Sequence, residues 1–168
     1  MAGKDTFKKE DSKQVLITRV FDAPRDLVFK AWTDCSRLTR WWGPKGFTTP
    51  VCHIDLRPEG VFHNCMRSPE GRDYCGKGVY REVVKPERIS YTDFFVDERG
   101  NPVPGTYYGI SAAWPQETQV TVTFEEEEGK TKLTLRHDVG SAPASDRDMC
   151  RQGWSESLDK LAGDLAEA

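Results

Sequence analysis

The sequence predicts an α+β fold: a curved antiparallel sheet of about seven strands wrapped around a long C-terminal helix, with two short helices between the first and second strands. Three observations carry this. Period-two runs separated by turn residues fill the middle of the chain, an apolar stripe at helical spacing runs along its last segment, and a proline-led helical pair follows the first strand. A single sheet cannot bury its inner face alone, and the amphipathic closing helix is the cover available to it.

Residues 1–13, rich in Lys, Asp and Glu and without periodicity, read as a disordered tail, leaving 14–168 as one domain. Val15, Ile17, Arg19 and Phe21 alternate with Leu16, Thr18 and Val20 in a β-branched first strand. Pro24 opens the first helix, whose stripe is Leu27, Val28, Ala31 and Trp32, because proline suits a helix start. Asp34 caps a second helix running through Leu38, Trp41 and Trp42 to the Gly43-Pro44 stop.

From Phe47 to His137, turns at Pro58-Glu59-Gly60, Pro69-Glu70-Gly71, Lys85-Pro86-Glu87, Arg99-Gly100-Asn101-Pro102 and Glu128-Gly129-Lys130 divide six strands. These fall near 51–56, 61–67, 74–84, 88–96, 118–126 and 131–137, with a long loop over 98–116. Period two turns Val120, Val122, Phe124, Leu133, Leu135 and His137 inward, with Thr121, Thr123, Lys132, Thr134 and Arg136 outward. Ser145 and Asp148 form a capping-box-like start to the closing helix, whose stripe is Cys150, Trp154, Leu158, Leu161 and Leu165.

Composition fits that plan. Apolar residues are 37% and charged residues 30% of 168, which describes a globular chain rather than a disordered or membrane one. Aromatics at 11% mark either an aromatic interior or an aromatic-walled pocket. The net charge of −3 argues against nucleic acid as a partner, since phosphate binding rests on Lys and Arg. No apolar run of membrane-spanning length occurs, and the first residues lack the apolar core of a signal peptide, so no membrane partner and cytoplasmic residence are expected. The five cysteines include no CxxC pair, which suits free thiols in a reducing compartment.

The segments Arg19-Val20-Phe21-Asp22-Ala23-Pro24, Ala31-Trp32-Thr33-Asp34, Trp41-Trp42-Gly43-Pro44, Asp55-Leu56-Arg57-Pro58, Thr131-Lys132-Leu133-Thr134-Leu135 and Gly153-Trp154-Ser155-Glu156-Ser157-Leu158 follow one another in a specific order. In these the chain, from about residue 14 to 166, resembles the Hsp90-ATPase-activator-homologue (AHSA1-like) family of the START and Bet v 1-like (SRPBCC) superfamily, whose fold is the helix grip. One departure is Glu59, where the family usually has the first of two glycines. The resemblance implies an apolar cavity between sheet and long helix. It does not imply one activity, because similar proteins include co-chaperone domains, binders of lipids or polyketides, and a few that transform their ligand.

The expected function is therefore the binding of a small apolar or aromatic molecule in that cavity, with no catalysis and no cofactor. The expected wall is Trp42, Phe62, Met66, Tyr80, Tyr91, Phe95, Trp114, Trp154 and Leu158. Asp93 and His137 would orient a polar group of the ligand, and are the candidates for acid–base work if the protein is instead a cyclase or hydrolase of polyketide-like compounds. The remaining alternative partner is a chaperone, with the protein modulating an Hsp90-like ATPase; the acidic run Glu125 to Glu128 would meet a basic surface on it, or is a solvated turn. The protein itself is expected as a monomer or homodimer.

Several residues read two ways. Trp41, Trp42 and Phe47 either plug the end of the core or form the mouth of the cavity. Gly153, costly in a helix interior, favours close approach of a strand to the helix over room for a ligand. Cys52, His53, His63, Cys65 and Cys75 lie on successive strands, but Cys52 and His53 point to opposite faces, so no metal site is expected.

Overall fold

In the computed structural model residues 13–167 are described; the tail expected over 1–13, apart from Lys13, lies outside them. The strands are β1 (Gln14–Phe21), β2 (Thr48–Ile54), β3 (Val61–Arg67), β4 (Asp73–Val84), β5 (Arg88–Val96), β6 (Thr118–Glu127) and β7 (Lys130–Asp138). Helices α1 (Arg25–Thr33) and α2 (Cys35–Leu38) separate β1 from β2, and α3 (Ala144–Ala166) closes the chain. All neighbours are antiparallel in the order β1-β7-β6-β5-β4-β3-β2. The helix-grip α+β arrangement is thus present, with β1 and β2 as its edges.

Alternation fixes which face is buried. Val120, Val122, Phe124, Leu133 and Leu135 are at most 1% exposed, while Thr121, Thr123, Lys132, Thr134 and Arg136 keep contact with solvent. Against this inner face pack Val28, Phe29 and Trp32 of α1, Trp41 beyond α2, and Leu158, Leu161 and Leu165 of α3. Arg19 shares the inner face of β1, and its guanidinium pairs with Asp159 of α3 at 2.9 Å. The sheet is therefore tied to the helix by a charge pair as well as by apolar contact.

Local differences from expectation have local causes. β2 begins at Thr48, earlier than expected; Pro50 interrupts its pairing with a register shift between Thr48 and Val51, which an edge strand tolerates. Asp34 does cap α2, accepting from the Ser36 amide at 2.9 Å, but the helix stops at Leu38 and leaves both tryptophans on the following turn. At α3 the expected Ser145 start is corrected: Pro143 sets the extended entry, Ala144 is the first helical residue, and Ser145 lies within the first turn without capping it. Glu59 takes φ +67°, the left-handed region in which glycine is favoured, where the family pattern led us to expect one.

The cysteines need a larger correction. Four of the five are paired, Cys35 with Cys52 and Cys65 with Cys75, and Cys150 alone among the described residues is a thiol. Cys65 and Cys75 stand directly opposite each other in the β3–β4 register, whereas Cys35 at the start of α2 meets Cys52 on β2. Neither pairing needs a CxxC spacing, so its absence was no guide. Among the described residues no helix is long and apolar enough to cross a membrane.

Candidate functional site

Among the described residues, a smaller and a larger hollow on the inner side of the sheet bear on binding. The smaller, about 20 Å³, is lined by Trp32, Leu38, Trp42, Phe62, Tyr80, Ile89 and Tyr91 and has room for one water at most. The larger, about 420 Å³, lies between strands β3, β4, β5 and β7, α3, the turn over 42–47 and the 108–114 segment, within the range of small-molecule sites.

The nine wall residues expected from the sequence divide between these places. Trp42, Met66, Phe95, Trp114 and Trp154 line the larger cavity. Phe62, Tyr80 and Tyr91 belong to the core and the small hollow, and Leu158, fully buried, is core alone. The four are inward as expected, but Trp32 of α1 lines the small space in front of Phe62, Tyr80 and Tyr91. Trp41 plugs the core, whereas Trp42 and Phe47 reach the cavity.

Sequence reasoning missed Tyr74, Tyr108, Ile110, Asp146 and Met149 of the lining. Tyr108 sits on a 3₁₀ turn (Gly105–Tyr108), donating from its hydroxyl to the Val96 carbonyl and accepting from the Cys75 amide at 3.1 Å. These bonds fasten the long loop over the sheet; no periodicity in the loop announces them.

Asp93 and His137 both face this cavity. Trp154 Nε1–H donates to His137 Nδ1 at 3.1 Å, with the Cys150 sulfur 3.3 Å from the same nitrogen. His137 Nε2 lies 2.8 Å from Thr118 Oγ1. Since Nδ1 is an acceptor, Nε2 carries the proton and donates to Thr118, whose hydroxyl donates onward to the Asp93 carbonyl at 3.4 Å. Burial disfavours the imidazolium and pushes the His137 pKa down to about 4. Burial likewise pushes Asp93 up to about 7, and its carboxyl has no hydrogen bond among the described residues. One Asp146 carboxylate oxygen is buried without a partner. Among the described residues, no Lys or Arg lines the cavity.

Gly153 on α3 also faces the cavity, and a Cβ placed there meets only Pro44 Cγ at 3.9 Å. The close strand approach expected at this glycine is not found; the missing side chain leaves space in the cavity instead. The neighbouring mouth loop is held by α3: Lys160 Nζ donates to the carbonyls of Gly43, Pro44 and Phe47 at 3.1, 3.3 and 3.1 Å. Glu156 accepts from the Lys45 amide at 3.0 Å. Burial lowers the pKa of Lys160.

On the opposite face of the sheet, His63 lies beside the Cys65–Cys75 pair, and its three potential ligand atoms lie within 4.8 Å of one another. Burial, Lys77 and His53 together lower the His63 pKa.

Comparison with known proteins agrees with this fold. A family model described as Activator of Hsp90 ATPase homolog 1-like protein matches residues 22–166. No curated protein sequence matches the chain. Among solved structures, a Chromobacterium violaceum protein is 27% identical, covering 92% of this chain and 98% of its own, with a TM-score of 0.76. A Mycobacterium smegmatis protein is 26% identical over 98% of this chain and 96% of its own, with a TM-score of 0.75. An AHSA1 protein from Silicibacter pomeroyi, 24% identical over 92% of this chain and 98% of its own, shares the fold with a TM-score of 0.75.

Proposed function

The chain belongs to the Activator of Hsp90 ATPase homolog 1-like family, and from that premise we propose that it binds a small aromatic or apolar molecule carrying a hydrogen-bond-donating or basic group. The observation that supports this is the 420 Å³ cavity, whose walls are aromatic and whose polar groups include Asp93 and Asp146, with no Lys or Arg among the described residues that line it. Aromatic faces attract apolar and cationic groups, and carboxylates accept from donors. An anionic head group would find no cation there.

His137 favours binding over turnover. Its Nδ1 lone pair is occupied and its Nε2 proton is given to Thr118, so neither nitrogen is available to take a proton from a ligand. The test is native mass spectrometry of freshly purified protein for a retained small molecule, followed by calorimetric titration with tryptamine and with indole-3-acetate. Tryptamine is expected to bind at least tenfold more tightly. Absence of a retained mass together with no binding of either probe overturns the reading.

A second reading, docking to an Hsp90-type ATPase, draws on the family description and on the exposed acidic tip Glu125 to Glu128. Unchanged ATP turnover by such a chaperone at saturating protein would remove it. We place either activity in the cytoplasm, where thiol reductants would hold the Cys35–Cys52 and Cys65–Cys75 pairs largely as thiols.

A further inference from the structure

We propose that Cys65 and Cys75, once reduced, bind zinc(II) together with His63 and His53 on the outer face of the β2–β3–β4 sheet, so that this protein carries a metal site opened by reduction. Alternation puts all four side chains on the face away from Asn64, Met66 and Tyr74, so the site is separate from the ligand cavity. Cys65 pairs with Cys75 across β3 and β4, and His63 pairs with His53 across β3 and β2.

The distances suit the metal. The three closest donor atoms lie within 4.8 Å, and His63 Nε2 is 3.9 Å from Cys65 Sγ. Zinc–sulfur and zinc–nitrogen bonds of about 2.3 and 2.0 Å place tetrahedral ligands roughly 3.5–3.8 Å apart. The His53 and His63 rings are nearly parallel, with centroids 6.3 Å apart. His53 is exposed, so its ring can turn to supply the fourth ligand and its side of the face admits the ion. Both cysteines are buried, at 4% and 2% exposure, which confines the sulfurs near one another after reduction.

The chemistry is balanced. A dithiol reductant delivers two electrons and two protons: the Cys65–Cys75 bond breaks, the reductant's own sulfur–sulfur bond forms, and two thiols remain. Zinc then displaces both thiol protons to solvent, and two thiolates neutralise its charge. In the disulfide neither sulfur is anionic, so the oxidised protein lacks the site.

Cobalt(II) reports this coordination directly. The Cys35→Ser/Cys52→Ser protein, reduced with a phosphine, should take up one equivalent of cobalt with thiolate charge-transfer and tetrahedral visible bands that zinc abolishes. The oxidised protein and the further Cys65→Ser/Cys75→Ser variant should show neither band, and His63→Ala should weaken binding at least tenfold. Absence of the bands from the folded reduced protein, or their persistence without Cys65 and Cys75, overturns the proposal. If reduction alone unfolds the chain, recovery of its circular dichroism on adding zinc supports the site and failure to recover overturns it.

Discussion

Trp154 donates its indole proton to His137 across 3.1 Å, joining the closing helix to strand β7 at the wall of the cavity. The bond holds the imidazole in one neutral tautomer, with the proton on the nitrogen that faces Thr118. Nitrogen-detected NMR should therefore find His137 neutral and Nε2-protonated at pH 6. A Trp154→Phe substitution removes the donor from a buried acceptor and should cost on the order of 1–3 kcal/mol in denaturant unfolding. An imidazolium signal at pH 6 would contradict the network.

Asp93 and His137 make opposite contributions to stability as pH changes. His137 falls from 6.5 to about 4 on folding, so between those values the unfolded chain binds the extra proton and stability rises with pH. Asp93 rises from 3.8 to about 7, so across that window the folded chain holds the extra proton and stability falls with pH. From about pH 4 to 6.5 the two slopes largely cancel in the native protein. Asp93→Asn should expose the His137 slope, up to about 1.4 kcal/mol per pH unit, measured as urea unfolding free energy against pH. A variant whose pH dependence matches the native protein's would show that Asp93 does not hold a raised pKa.

Arg19 is 3% exposed and its partner Asp159 36%, so this pair is sheltered on one side only. Asp159→Asn removes a carboxylate that pairs with the buried guanidinium and should cost roughly 2 kcal/mol. The exposed Arg57–Asp55 pair serves as the comparison, because both partners are solvated. Asp55→Asn should change stability by less than about 0.5 kcal/mol. Equal losses for the two variants would mean that the Arg19 pair is no more than a surface contact.

Period two made the strands and their buried faces legible, and helical spacing did the same for α3, because both patterns are local. What fills the space before an inward residue is not local. Phe62, Tyr80 and Tyr91 have the same inward parity as Phe95 or Met66, yet only the first three meet Trp32 and its neighbours. Tyr108 was hidden because a loop has no period, and its partners lie on β4 and β5. The Cys65–Cys75 pairing was within reach: a hairpin centred on Glu70 sets the two cysteines directly opposite. The Cys35–Cys52 pair was not, since it depends on where α2 comes to rest beside β2.

Gly153 separates helix stability from cavity volume. A Cβ placed on it would meet only Pro44 Cγ at 3.9 Å, an ordinary contact distance. Gly153→Ala should therefore raise stability by about 1 kcal/mol through helix propensity while leaving most of the cavity open. Gly153→Leu keeps much of that propensity gain but directs a four-carbon side chain toward the space between Trp154 and Pro44. Its thermal midpoint should remain at or above the native value, while tryptamine affinity in calorimetric titration falls at least tenfold. Loss of stability with alanine would mean that a neighbour closes on this position, as the sequence led us to expect. Undiminished affinity with leucine would place the ligand elsewhere than beside α3.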